Sequence, residues 1–169
     1  MRLGKLVQGT RDVVVSRRSV IAMTYVSTEV EDALLVRWET VTVEAVEKLV
    51  ALVNSEHQRA GKAIAYAAIV PSESPIPGAE ARRALLDGYN QIADLCSTVR
   101  LVILGSGFRR AAIRAVSAGF MLAIPKNKDY SVDNTATAAF EHMAPHCRAS
   151  AEELMAAAVD MGIVRAGEE

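Results

Sequence analysis

Two stretches constrain this chain more than any others: AIAYAAIV (63–70) and RLVILG (100–105). A strand with one wet face alternates apolar and polar residues, whereas an unbroken apolar run marks a strand covered on both faces. Strands of that kind sit in the middle of a parallel or mixed sheet, because the helical crossovers between them provide the cover. The segments around these runs carry the helical period. Val43, Val46, Leu49, Val50 and Val53 form a stripe of period 3.6. Thr42 stands where an N-cap belongs, Glu44 is in the first turn and Gly61 is the stop. Ala81, Leu85, Tyr89, Ile92 and Cys96 predict the buried face of a second helix.

The remaining segments complete the order. DVVVSRRSVIAMTYVS reads as one long strand or two short ones with the break at Arg17-Arg18. ALLVRWET is a further strand, with Leu34, Val36 and Trp38 on one face and Arg37 and Glu39 on a side expected to be wet. FRRAAIRAVSAG predicts a short helix ending at Gly119, FMLAI a strand and KNKD a surface turn. VDNTATAAFEHM predicts a helix stopped by Pro145, and Ser150 with Glu153 is a capping box opening a last helix that Gly162 ends. The expected fold is one α/β domain over residues 1–169, a mixed, mostly parallel sheet flanked by helices in the order β-β-α-β-α-β-α-β-α-α.

Composition narrows the function classes. Lys plus Arg is 19 against 20 Asp plus Glu, so no basic excess points to nucleic acid. No apolar run approaches the roughly 20 residues of a membrane span. MRLGKLVQGTRD lacks the apolar centre of a leader, so the expectation is a cytoplasmic protein with Cys96 and Cys147 reduced. Aromatic residues make up only 5%, so the core must come from aliphatic side chains.

The order over 12–143 resembles the STAS domain, the family of bacterial anti-sigma-factor antagonists and their relatives. The residues that carry it are ALLVRWETVTVEAVEKLVALV, VRLVILGSGFRRAAIRAVSAGFMLAI and the closing YSVDNTATAAFEHM; the helix over 150–162 is an addition to that core. The resemblance implies a regulatory module that binds partners or small ligands and performs no chemistry of its own. In the antagonists, a serine is phosphorylated in an Asp-Ser-Ser-Gly type motif at the start of the second helix. Here that place holds Pro71-Ser72-Glu73-Ser74-Pro75-Ile76-Pro77-Gly78.

Two loops are therefore the candidate sites. A phosphate on Ser72 or Ser74 would sit near a helix N-terminus, within reach of Arg82 and Arg83. The plainer reading is that three prolines stiffen a surface turn. The second loop is LGSGFRR, where Gly105, Ser106 and Gly107 enter a helix bearing Arg109 and Arg110. Its backbone N–H groups could meet an anion. It has neither the third glycine of a dinucleotide fingerprint nor the Lys-Ser/Thr of a P-loop. Both arginine pairs oppose a helix dipole by about 0.3–1 kcal/mol each, which a bound anion, an acidic partner or Glu73 and Glu80 would offset.

FEHMAPHC offers His142, His146 and Cys147, but Pro145 breaks the helix between the histidines, so no metal is expected. No nucleophile, base and orienting group assemble from local motifs, so no catalytic residue is assigned and no cofactor is implied. The leading expectation is a non-enzymatic regulatory module that binds a protein partner through the loops after 63–70 and 100–105. A small-anion or nucleotide receptor at Gly105–Arg110 is the alternative. A self-assembling structural protein, such as a homodimer, is the third.

Overall fold

A computed structural model describes residues 16–21, 24–123 and 129–168, the side chains of 16–21, 108, 109 and 120–123 excepted. Six strands form one sheet: β1 (Ser16–Ile21), β2 (Tyr25–Val30), β3 (Ala33–Trp38), β4 (Ile64–Val70), β5 (Cys96–Ile103) and β6 (Tyr130–Asp133). They lie side by side in chain order. β1, β2 and β3 pair antiparallel, and β3 through β6 are parallel. The parallel strands are linked by α1 (Val43–Ala60), α2 (Ala79–Ile92) and α3 (Gly107–Ala123). Crossovers between parallel neighbours are right-handed, so strands laid down in sequence place all three helices on one face. The chain then adds α4 (Ala136–Met143), a 3-10 turn (Ala144–His146) and α5 (Ala151–Asp160) to the other.

The period of two decides which residue serves which face. Leu34, Val36, Trp38, Tyr66 and Ala68 join Val46, Leu49 and Val53 of α1 and Ile92 of α2. Leu35, Ala67, Ile69 and Val102 face Phe140 and Met143 of α4 and Leu154 and Ala158 of α5. The helix read as an addition after residue 150 thus supplies part of this second core. The predicted caps hold: the Thr42 side chain accepts from Ala45 N–H, Gly61 is left-handed at φ 67°, and both bonds of the Ser150–Glu153 capping box form. Among the described residues no helix is long and apolar enough to cross a membrane.

Four local expectations give way. Arg17 and Arg18 lie inside β1, where the pairing with β2 shifts register between Ser16 and Ser19 without ending the strand, and β2 is a separate strand from Tyr25. Residues 12–15 of that prediction lie outside the described residues. Cys96 opens β5 rather than closing α2, because the helix ends at Ile92 and the chain turns through Asp94 and Leu95 without a glycine or proline to announce it. Residues 120–123 of the FMLAI segment continue α3, and Ile124 lies outside the described residues. Ala, Met and Leu are strong helix formers and one interior glycine costs only about 1 kcal/mol, so Gly119 does not stop the helix. The strand comes later, at Tyr130–Asp133.

The largest departure is Arg37, which was expected on a wet face and is instead wholly buried. The α4–α5 layer and the tail after it cover that side of β3. Its guanidinium donates to Glu39 Oε1 at 3.0 Å, to Glu73 Oε1 at 3.2 Å, to Glu168 Oε2 at 2.7 Å and to the Ile163 carbonyl at 3.2 Å. One side chain thereby ties β3, the connector after β4 and the C-terminal tail together.

Candidate functional site

Open α/β sheets bind their ligands at the loops outside the carboxyl ends of the strands. Here that edge carries residues 39–42 after β3, the connector Pro71–Gly78 after β4, Gly105–Gly107 after β5 and Asn134 after β6. The connector is held at three points. Ser74 N–H donates to the Pro71 carbonyl at 3.2 Å, which closes a tight turn. The Ser74 hydroxyl, only 5% exposed, donates to the Trp38 carbonyl at 2.8 Å. Glu73 reaches back to Arg37. Ser72 stays exposed, its hydroxyl donating to Glu73 Oε2 at 3.1 Å. The two serines of the sequence motif therefore occupy different environments: one is a buried tether and the other is at the surface.

The loop after β5 meets the connector directly. Leu104 N–H donates to the Val70 carbonyl at 3.0 Å, and Gly105 has φ 84°. A Cβ at Gly105 would overlap the Cβ of Ser72, so glycine is required both for its backbone angle and for that approach. Gly107, at φ 80°, starts α3 with open space around it. Ser106 and Gly107 are exposed.

The arginines divide. Arg110 turns back to donate to the Gly105 carbonyl at 2.9 Å and to Asn134 Oδ1 at 2.5 Å, and Arg114 donates to the same Asn134 oxygen. Among the described residues neither pairs with a carboxylate. Arg82 and Arg83 are exposed on α2 and border a shallow groove against Ala115, Val116 and Gly119 of α3. The side chain of Arg109 lies outside the described residues. The predicted site residues thus form a connected edge (Ser72, Gly105, Ser106, Gly107 and Arg110), with Arg82 and Arg83 on the helix beyond it.

Metal-ligating residue types are dispersed. His142 Nδ1 lies 3.1 Å from Asp133 Oδ1, and His146 Nε2 lies 3.1 Å from Asp129 Oδ2. The Cys147 thiol points to the Ala149 carbonyl, and burial raises its pKa above the ordinary thiol value.

Beneath the connector lies a feature that the motifs did not announce. A partly open, almost wholly apolar cavity of about 130 Å³ separates the sheet from α1, α2 and α3. Pro75 and Pro77 line it at the carboxyl edge, Leu85, Gly88 and Tyr89 from α2, Ile113, Val116 and Ser117 from α3, and Trp38, Tyr66, Ala68, Val99 and Tyr130 from the sheet. Among the described residues none of its lining is charged.

The tyrosines at its wall stay protonated. Burial pushes the Tyr66 hydroxyl far above its ordinary pKa, although a hydrogen bond involving Trp38 pulls the other way. Burial raises Tyr89 to about 12 and carries Tyr130 higher still. The rings of Tyr89 and Tyr130 meet edge to face, with centroids 5.5 Å apart at 86°.

No local motif announces this cavity because its lining residues lie on seven different elements and the loops between them. The available signal was compositional. A chain poor in aromatics puts its only tryptophan and three of its four tyrosines around one space. Comparison with known proteins supplies no family: no family model matches the chain, and no curated protein or solved structure matches it significantly.

Proposed function

We propose that the chain is a non-enzymatic regulatory module, STAS-like in order, that binds a protein partner through the carboxyl edge of its sheet. The observation that carries this reading is the contact between Ser72 and Gly105, which joins the two candidate loops into one continuous surface. That surface is chemically mixed. Val43 and Ile76, two of the three large hydrophobic residues exposed among those described, lie in or beside the loops of this edge. Exposed Arg82 and Arg83 follow on α2. An apolar contact flanked by cations suits a partner that offers an apolar anchor beside carboxylates. Phosphorylation of exposed Ser72 would place two negative charges on this edge and alter the contact.

The test is native mass spectrometry of the protein purified gently from its own cells, alongside the Ile76→Asp and Ser72→Asp variants. A stoichiometric protein partner lost in both variants is the expected result. A bare chain, or a partner that both variants retain, overturns the reading.

A second reading, a small-anion receptor, is favoured by the convergence of Arg110 and Arg114 on Asn134 without a carboxylate among the described residues. Inorganic phosphate should then raise the melting temperature, and Arg114→Ala should remove the rise. No rise on titration would end it.

A further inference from the structure

We propose that the cavity between the sheet and α1–α3 is a binding site for a small, neutral, predominantly aromatic molecule. This rests on the interior of the domain and is independent of what its loop edge binds.

The wall decides the ligand's chemistry. A charged group would lose hydration in a space where, among the described residues, no lining side chain carries a countercharge, which disfavours ions. Ordered water is a poor occupant as well, since a buried water needs two to four polar partners and this wall is almost all carbon. An apolar ligand faces neither obstacle. An engineered apolar cavity of about 150 Å³ stays dry and takes up benzene, so about 130 Å³ is the scale of a single ring.

The wall also decides why a ring suits the site better than an alkyl chain. Trp38, Tyr66, Tyr89 and Tyr130 supply aromatic faces and edges, and the Tyr89–Tyr130 pair already adopts the edge-to-face geometry that aromatic groups prefer. Pro75 and Pro77 line the cavity from the connector, and the connector is anchored to the sheet by the Ser74–Trp38 hydrogen bond.

The measurement is thermal melting, with backbone amide NMR on the full chain, in toluene, indole and benzoate. Toluene and indole at tenfold their Kd should raise the melting temperature by about 3 °C or more. They should also shift the amides of Ala68, Gly88 and Ile113, while benzoate, of similar size but charged, should do neither. Ala68→Leu and Leu85→Phe each fill the space from a different element, and both should abolish the response while keeping the wild-type fold by circular dichroism. If one of them fails to fold, the other decides. No response to either neutral probe, an equal response to benzoate, or a response that survives filling would overturn the proposal. A response confined to the amides of Val43 and Ile76 would place the probe on the protein-binding edge and would overturn it equally.

Discussion

The two faces of one strand are built on opposite principles. β3 sends Leu34, Val36 and Trp38 to the α1–α3 side and Ala33, Leu35 and Arg37 to the α4–α5 side, and all six residues are buried. On the α4–α5 side the apolar core is closed at one end by a charged knot, with Arg37 held by Glu39, Glu73 and Glu168. On the α1–α3 side the aromatic residues stand around unfilled space. The knot fixes geometry, because every donor direction of a guanidinium that matters is used. The cavity leaves geometry open, because nothing polar holds its centre. A module of this kind has one face that cannot move without breaking ion pairs and one face with room to change.

The sharpest way to break that contrast is at Arg37. Removing one member of a buried ion cluster strands the others, at a cost of about 3–5 kcal/mol. Glu39 and Glu73 are partly exposed, so Arg37→Ala should fall near the lower end, about 3 kcal/mol by urea denaturation. A loss below about 1 kcal/mol would mean that the knot is not what locks this face.

Gly105→Ala comes next. It forces a side chain into a left-handed backbone angle and against Ser72, so the two loops must separate. About 2 kcal/mol should be lost on strain alone. Amide exchange should quicken at Leu104, whose N–H bonds Val70 across the two strands. A variant as stable and as protected as wild type would show that the loop edge is not one surface.

The faces should also fail at opposite ends of the pH scale. Burial works to raise Glu168, but the hydrogen bond from Arg37, with the Arg165 N–H, outweighs it and holds the carboxyl below its ordinary value. A depressed folded pKa gives stability that is complete above the unfolded value of about 4.3 and is lost as pH falls through the folded one. Acid should therefore loosen the tail first, and Glu168→Gln should cost about 1–2 kcal/mol at neutral pH while flattening the acid limb.

Tyr89 is the mirror case, with its hydroxyl raised to about 12 by burial. Its contribution is complete below the unfolded pKa of about 10 and is lost as pH rises through the folded one. Tyrosinate absorbance against pH should therefore rise together with unfolding, not before it. Ionisation of all four tyrosines near pH 10 in the folded protein would contradict the buried wall.

How much of this was legible depended on whether a signal was local. Thr42, Gly61, Ser150 and Glu153 act within a few residues of themselves, and each does what its position predicted. The apolar run of β4 forecast a covered strand because cover on both faces leaves no polar position. Arg37 was misjudged because alternation tells which face a residue takes and nothing about what covers that face. The cover arrives about 100 residues later, with α4, α5 and the tail. The continuation of α3 past Gly119 was missed for the opposite reason, since a short apolar run after a helix fits either period. The candidate loops were legible as places, from glycine and proline at strand ends. That Ser74 is spent on Trp38 while Ser72 is not depends on one turn and 36 residues of intervening chain.

The smallest effect gives the cleanest comparison, because it sets two neighbours against each other. Ala67 and Ala68 are consecutive in β4 and both buried, one facing Phe140 and Met143 and the other lining the cavity. Leucine adds the same carbon at either position. At Ala67 it meets a filled core and should cost about 1–3 kcal/mol, because overpacking forces neighbours off their rotamers. At Ala68 the added carbon enters space that is already there, gaining contacts without displacing any. Ala68→Leu should lie within about 1 kcal/mol of wild type, on the stabilising side if the fit is good. Equal costs at the two positions would mean that both faces are filled alike, and the asymmetry between a locked face and an open one would be gone. A large difference with Ala68→Leu the more stable would locate the slack of the domain within a single strand, directly beneath the connector that joins its two candidate loops.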